Sequence, residues 1–181
     1  MYIHRPCNPY HTFYIDLFEN YNKFMKSLQR YEQVKDYVYT KYTKIYNEPL
    51  RQEALTHTAQ VDTCITILAM ARNQNVEIAK IIALFHDFAQ FTQNCSHDEH
   101  ARLSSILANR YLTETGLFKT KEIDDICYAI AQHSHKEQYD SPYCELIKDA
   151  DILARFFTDP TMELDHKRKQ RLLDACDDIH S

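Results

Sequence analysis

The chain has 181 residues, of which 44% are hydrophobic, and this length favours one domain with a sizeable core. A net charge of -5 argues against the broad basic surface that duplex nucleic acid or an anionic membrane selects. No apolar run reaches the roughly 18 residues of a membrane span, and residues 1–20 are too polar for a signal peptide. We therefore expect a cytoplasmic protein without membrane contact.

The glycine and cysteine contents narrow the fold class. A single glycine excludes the Gly-rich phosphate loops of nucleotide-binding folds and disfavours the tight turns of β-rich proteins. The six cysteines are scattered without a CxxC pair, which fits a reducing compartment better than a structural zinc site. An all-α bundle of helices joined by short loops is predicted.

The first 46 residues are rich in aromatic side chains. From Thr12 onward, Phe13, Leu17, Tyr21 and Phe24 recur at helical spacing, and residues 31–46 continue in the same style. Nine of the thirteen tyrosines precede residue 47, which leaves a substrate-stacking wall or a partner surface as alternatives. An aromatic stripe at this period is more typical of helices packed on a core, and that is our prediction.

Two helices follow, over residues 50–72 and 76–91. Pro49 suits the first turn of the former, where His57 lies on the apolar side. Asn75 is a good N-cap for the latter, which is apolar on nearly every side and should be the centre of the bundle. His86 and Asp87 lie in its last part, IIALFHDFAQF, and a carboxylate in such surroundings needs a partner or a metal.

Four further helices are predicted over residues 98–115, 121–132 and 143–157 and from Pro160 onward. His100 points to the apolar side of the first of them, and His133 follows the second directly. Asp149 and Asp151 lie among the apolar residues of the third. The charged run over 165–171 should be solvated. The predicted single domain, 1–181, thus has a metal-binding core over 47–157 and a C-terminal helix over 158–181.

Six inward-facing polar residues now stand out, each set among apolar neighbours. They are His57, His86, Asp87, His100, His133 and Asp151. One buried histidine is ordinary, but six such groups favour a shared divalent cation over unrelated hydrogen bonds in the core. Imidazole and carboxylate ligands suit Fe, Mn, Zn, Co or Ni rather than calcium.

Five short motifs carry a family resemblance. In order they are LTHTAQV, HDFAQFTQ, DEHARLSS, AIAQHSHKE and LIKDADIL. Over about residues 34–157, the chain resembles the HD-domain metal-dependent phosphohydrolases, and is most similar to a bacterial subgroup with HDIGRFEQ in place of HDFAQFTQ. The resemblance implies that His57, His86, Asp87 and Asp151 bind a first metal. It also implies that His100 and His133 add a second metal, with Asp87 bridging the two.

The chain departs from that pattern around the metals. Gln90 and Ala154 stand where the subgroup has a basic residue and an aspartate. His135 stands where it has a lysine, and Lys136 lies one position later. We expect fewer positive groups near the metals than the family usually has. Asp149, two residues before the implied ligand Asp151, is a candidate for orienting a ligating imidazole.

The implied activity is hydrolysis of a phosphate ester of a nucleotide or another small phosphorylated metabolite through a metal-bound hydroxide held at Asp87. His135 or Lys136 is expected to donate a proton to the leaving group, and Gln90, Arg102 and Lys136 to contact the substrate, although solvated side chains are the plain alternative for these four. Two other functions stay open: a di-iron oxygenase, because some HD-fold members share these six ligands, and a non-catalytic metal-stabilised binding module. A homodimer is compatible with each of them.

Overall fold

The computed structural model describes residues 28–93 and 95–180, which form eight helices and no strand. The helices are α1 Gln29–Tyr42, α2 Glu48–Ala71, α3 Val76–Phe85, α4 Phe88–Gln93, α5 His100–Thr115, α6 Thr120–Gln132, α7 Pro142–Thr158 and α8 His166–His180. The all-α prediction is confirmed, whereas the helix predicted from Thr12 lies outside the described residues. None of the described helices has the length and apolarity that crossing a membrane requires.

Side-chain caps define where the central helices begin. The Asn47 side chain accepts a hydrogen bond from the Leu50 N–H at 3.0 Å, and the Asn75 side chain accepts one from Ile78 at 3.1 Å. Both bonds satisfy a backbone donor that has no partner within the first helical turn. The starts of α2 and α3 are therefore determined locally.

Helix α3 is the centre of the bundle and packs against α1, α2, α6 and α7. Its residues Ile81, Ile82, Leu84 and Phe85 have no solvent exposure. Burying each such side chain contributes about 1.5 to 3 kcal/mol to stability. This packing fixes the C-terminal end of α3 deep inside the protein.

The described part of the aromatic segment packs onto that centre. Tyr31 and Tyr42 of α1 are buried, and the ring of Tyr37 stacks on that of Tyr111 with centroids 3.8 Å apart. Tyr46, beyond the end of α1, is fully exposed. The buried tyrosines of α1 therefore act as core residues.

The predicted continuous helix over 76–91 is wrong, because the chain turns at His86 and Asp87 between α3 and α4. The N–H of Ala89, which would continue the helix, instead donates to the Ser104 hydroxyl of α5 at 2.9 Å. In a continuous helix, adjacent side chains diverge by about 100°. The turn allows His86 and Asp87 to face the same point.

The C-terminal prediction also needs two corrections. Pro160 lies in a non-helical segment, and α8 begins only at His166, where the Asp165 carboxylate accepts a hydrogen bond from the Arg168 N–H at 2.9 Å. Arg171 was expected to be solvated with its charged neighbours, but it is 4% exposed. Helix α8 folds back onto α7, which supplies the buried arginine with carboxylate partners.

Candidate metal centre

The six predicted ligands converge from five separate elements. His57 comes from α2, His86 and Asp87 from the turn after α3, His100 from the start of α5, His133 from the end of α6 and Asp151 from α7. Asp87 lies at the middle. Its Oδ1 atom is 3.2 Å from His100 Nε2 and 3.1 Å from His133 Nε2, and its Oδ2 atom is 3.3 Å from His86 Nε2.

The outer nitrogens of three imidazole rings are fixed by backbone carbonyls. His86 Nδ1 donates to the Ala83 carbonyl and His133 Nδ1 to the Ile130 carbonyl, both at 2.8 Å, and His100 Nδ1 bonds the carbonyl of His97. A carbonyl can only accept, so Nδ1 carries the hydrogen in each ring. The Nε2 lone pairs of the neutral rings then face the centre, as metal-ligating histidines require.

These inner nitrogens lie unusually close to one another. The Nε2 atoms of His57 and His86 are 3.2 Å apart, and those of His100 and His133 are 3.1 Å apart. Two lone pairs at this distance repel, so each pair needs either a proton on one ring or a cation facing both. The cluster is therefore built for positive charge.

Burial and neighbouring charges shift the pKa values of these histidines in different directions. Burial lowers the pKa of His133 to about 4. Burial also lowers that of His57, but the nearby carboxylates of Asp151 and Asp87 outweigh it and raise the pKa to about 9. Without a metal, one ring of each pair can hold the proton that separates the lone pairs, because the pKa of His100 is likewise raised by Asp87.

Both carboxylates remain ionised despite their burial. Burial by itself would raise the pKa of Asp87, but the surrounding histidines, His86 first, hold it well below its usual range. Burial acts on Asp151 in the same way, and Lys136 and His57 hold its pKa well below the usual range too. Two buried negative charges therefore face the imidazole nitrogens.

The donor set fits a divalent transition metal. Ligand atoms about 2.1 Å from one ion lie roughly 3.0 to 3.4 Å apart, close to the separations at Asp87. Within the described residues, two groups have ligand atoms close enough to share an ion, namely His57, His86 and Asp87, and Asp87, His100 and His133. Asp151 Oδ1 lies 3.2 Å from His57 Nε2 and adjoins the first group.

One atom in particular lacks a hydrogen bond. Asp87 Oδ2 is buried and accepts no hydrogen bond from the two described ranges, although His86, His57 and Arg155 approach it at 3.3 to 3.6 Å. A buried carboxylate oxygen without a hydrogen bond is costly, and metal coordination would remove that cost. Asp87 belongs to both ligand groups, so it could supply an oxygen to each of two ions.

A cavity of about 270 Å³ opens over the cluster. Asp87, His100, His133 and Asp151 line it, as do two of the predicted substrate contacts, Gln90 and Lys136. Lys136 is buried, and its Nζ atom lies 2.7 Å from Asp151 Oδ2. The cluster thus faces a space that a small ligand can enter.

Two predicted functional residues do not line that cavity. His135 is exposed and its Nδ1 atom bonds Gln132 Oε1 at 2.9 Å. The side chain of Arg102 is 63% exposed and pairs with Glu99, one turn earlier on the surface. The interpretation of these two as solvated side chains fits the structure.

Asp149 does not orient an imidazole, contrary to the prediction. Its carboxylate pairs with Arg72 at 2.8 Å and with Arg171 at 2.9 Å. Residues two positions apart on a helix point in directions that differ by about 200°. Asp149 therefore faces away from the cluster when Asp151 faces it. Asp151 is the aspartate of this motif that reaches the candidate metal centre.

Two arginines that the sequence analysis missed line the same cavity, Arg155 and Arg168. Arg155 Nε lies 2.9 Å from Asp151 Oδ1, and Arg155 Nη2 lies 3.6 Å from Asp87 Oδ2. The four-residue spacing of Arg155 from Asp151 is a usable signal, because such residues share a helix face. No local sequence pattern indicates that Arg168 belongs to the site, because it reaches the cavity only through the return of α8. Two positive groups that the motif comparison did not anticipate therefore line the cavity beside Lys136.

The fold has a counterpart among solved structures. The crystal structure of a predicted HD superfamily hydrolase from an uncultured Thermotogales bacterium superposes with a TM-score of 0.62 at 20% sequence identity. The match covers 86% of this chain and 90% of that one, and at this identity it establishes the fold. A search of curated protein sequences finds no match.

The family itself is identified from the sequence of the core. The family model for the HD domain matches residues 54–155, a stretch that contains all six convergent residues and Arg155. Because the match spans more than half of the chain, the protein belongs to the HD domain superfamily.

Proposed function

We propose that this protein is a metal-dependent phosphohydrolase that cleaves a phosphate ester of a nucleotide or another small phosphorylated metabolite. One observation carries the proposal: three cations, Lys136, Arg155 and Arg168, line the cavity that contains the imidazole and carboxylate cluster. Membership of the HD domain superfamily and the likeness to a predicted HD superfamily hydrolase support it. A cytoplasmic location remains part of the proposal.

The ligands divide between two ions. His57, His86, Asp87 and Asp151 would hold one, and Asp87, His100 and His133 would hold the other. The chemistry supplied by a divalent metal there is Lewis acidity, which lowers the pKa of a coordinated water toward about 7. The remaining side chains bind and orient the phosphate ester.

Arg155 is the best-placed phosphate contact. Its side chain is 47% exposed and bonds Asp151 through Nε only, which leaves guanidinium N–H groups for the cavity. A guanidinium donates two parallel hydrogen bonds to a phosphate, and it stays protonated at any working pH. Arg168, whose side chain is 43% exposed on the same cavity, would hold a further phosphate oxygen.

Lys136 is suited to the leaving group. Its ammonium donates to Asp151 Oδ2 and to the carbonyl of His133, both at 2.7 Å. An ammonium has three donors, so one remains for a phosphate or leaving-group oxygen. Lys136 thus takes the role that the sequence analysis shared between it and His135.

The size of the cavity favours a compact substrate. Its volume of about 270 Å³ lies just below the range of about 300 to 1,000 Å³ that is common for ligand pockets. Met162 and Leu164, from the segment before α8, line one side of it. A small phosphorylated metabolite would fill the space with its phosphate on the arginines.

The test is a panel of phosphoesters assayed with protein loaded with Mn, Fe, Zn, Co or Ni. Asp87→Ala should abolish turnover, while Asp62→Ala, which removes a carboxylate paired with Lys80 elsewhere, should keep it. Arg155→Met should weaken turnover by about tenfold or more, while Arg102→Met should not. Turnover that survives Asp87→Ala would sink the mechanism, and activity with manganese in iron-free protein would separate it from an oxygenase.

A further inference from the structure

Arg171 is a buried cation behind the candidate metal centre. Its Nη1 atom donates to Glu145 Oε2 at 2.7 Å and to Asp149 Oδ1 at 2.9 Å, both on α7. A buried charge is retained at modest cost only when it is paired and fully hydrogen-bonded. The two carboxylates neutralise the charge of Arg171 but do not use its other donors.

Those other donors reach the loop that follows α6. Arg171 Nε donates to the Lys136 carbonyl and Nη2 to the Gln138 carbonyl, both at 2.7 Å. The Gln138 carbonyl also accepts from Lys148 Nζ at 2.8 Å, and the Glu137 carbonyl from Lys167 Nζ at 3.2 Å, so the Lys136 carbonyl is the contact that depends most on Arg171. Within the loop itself, Lys136 N–H bonds only the nearby Ser134 carbonyl, at 2.9 Å. A loop whose internal hydrogen bonds join only residues close in sequence needs partners from outside the loop to adopt one conformation.

The same loop carries two groups of the site. His133 lies at its start, and the Lys136 side chain reaches back to donate to the His133 carbonyl and to Asp151. Lys136 is thus held at its backbone by Arg171 while its ammonium contacts a candidate metal ligand. A shift of the loop would move the ammonium and the imidazole together.

We propose that Arg171 is a positioning residue of the metal centre, which acts by holding the carbonyls of Lys136 and Gln138. Its effect on turnover rests on the proposed function, whereas its effect on the loop and on metal binding does not. The residues matched by the family model end at 155, so α8 supplies this support from outside the matched region. Losing a hydrogen-bond partner of a metal ligand commonly weakens metal affinity by about 10- to 100-fold. Arg171 acts one contact further out, through Lys136, so the low end of that range is expected.

Arg72 offers a matched control. It pairs with the same carboxylate as Arg171, through Nη1 and Asp149 Oδ2 at 2.8 Å, and with Asp178 at 2.8 Å. Among its described contacts, none reaches the loop over 133–138. Replacing Arg72 therefore removes charge from Asp149 without releasing the carbonyls of the loop.

The experiment compares full-length wild-type protein with Arg171→Met, Arg171→Lys and Arg72→Met. Hydrogen exchange of peptides over 133–140 is followed by mass spectrometry, and Mn²⁺ alone is titrated by calorimetry. In Arg171→Met, exchange should be about tenfold faster and Mn²⁺ affinity about tenfold weaker. Arg171→Lys should fall between this variant and wild type, and Arg72→Met should match wild type in both measurements.

Two results would overturn the inference. One is an Arg171→Met protein with wild-type loop exchange and Mn²⁺ affinity, and the other is an Arg72→Met protein that changes as much as Arg171→Met. If Arg171→Met does not fold, unchanged loop exchange in Arg171→Lys overturns it equally. Wild-type protein that cleaves no phosphoester, but whose loop still loosens in Arg171→Met, would refute the phosphohydrolase and leave the positioning role intact.

Discussion

Removing the charge of Asp87 should abolish most of the increase in thermal stability that a divalent metal gives to the folded protein. Asp87 contacts the Nε2 atoms of four histidines at 3.1 to 3.5 Å, and it belongs to both groups that could hold an ion. Asp87→Asn keeps the size of the side chain but replaces a carboxylate oxygen with an N–H donor. Neither of the two proposed ions would then have the carboxylate of Asp87 as a ligand.

The expected magnitude follows from mass action. At a metal concentration 100 times the Kd, one ion stabilises the folded state by about 2.7 kcal/mol. In a chain of this length, each kcal/mol shifts Tm by about 2 to 4 °C, so one ion should raise Tm by about 5 to 11 °C. A second ion at the same saturation should add a similar amount.

The assay is thermal unfolding by circular dichroism, after chelation and then with increasing Mn²⁺, Fe²⁺, Zn²⁺, Co²⁺ or Ni²⁺. Wild type should gain the full shift with at least one of these ions and Asp87→Asn should gain almost none. Asp62→Asn, which changes a carboxylate paired with Lys80, should behave as wild type. An equal rise in Asp87→Asn, or no rise in wild type with any of the five ions, would refute the metal site.

Three further outcomes are expected. Ile130→Ala, at a core position without exposure, should lower the free energy of unfolding by about 2 to 5 kcal/mol in urea titrations; a loss well below that would contradict the packing described for α6. Lys136→Gln should reduce kcat by about 100-fold or more while His135→Gln leaves it unchanged, and the reverse order would restore His135 as the proton donor. In metal-free protein, stability should peak near neutral pH. Below pH 6.5 stability falls because His133, with a pKa of about 4, stays neutral in the folded protein while the same histidine in the unfolded chain binds a proton. Toward pH 9 stability falls because His57, with a pKa of about 9, loses its proton. Urea titrations at several pH values check this. His57→Gln should lessen the alkaline fall, to which His100 with its raised pKa also contributes, and should leave the acid side unchanged.

The interior of the bundle was largely predictable because it depends on short-range periodicity. Apolar residues at helical spacing mark the buried faces of α2, α3, α6 and α7, and asparagine caps mark the starts of α2 and α3. His57, His100 and Asp151 were recognised as inward-facing because each lies on such a face. Their shared burial grouped them into one site, and the order of the family motifs then implied which of them bind each metal.

Several of the errors involve partners that lie far away in the sequence. The helix ends at Phe85 because Ser104, fifteen residues after Ala89, takes the N–H of Ala89. Asp149 was assigned to the wrong neighbour because Arg72 and Arg171 come from α2 and α8. A local pattern contains no information about which distant side chain will supply a hydrogen bond.

The sequence by itself determined the helices, their buried faces and the chemical types of the convergent side chains, because these follow from local spacing and residue chemistry. Only the tertiary structure decided what surrounds them. The turn at His86 and Asp87 places both side chains at one point, and the return of α8 brings Arg168 to the cavity and Arg171 behind the loop of Lys136. The charge that meets a substrate is therefore set by how the helices pack.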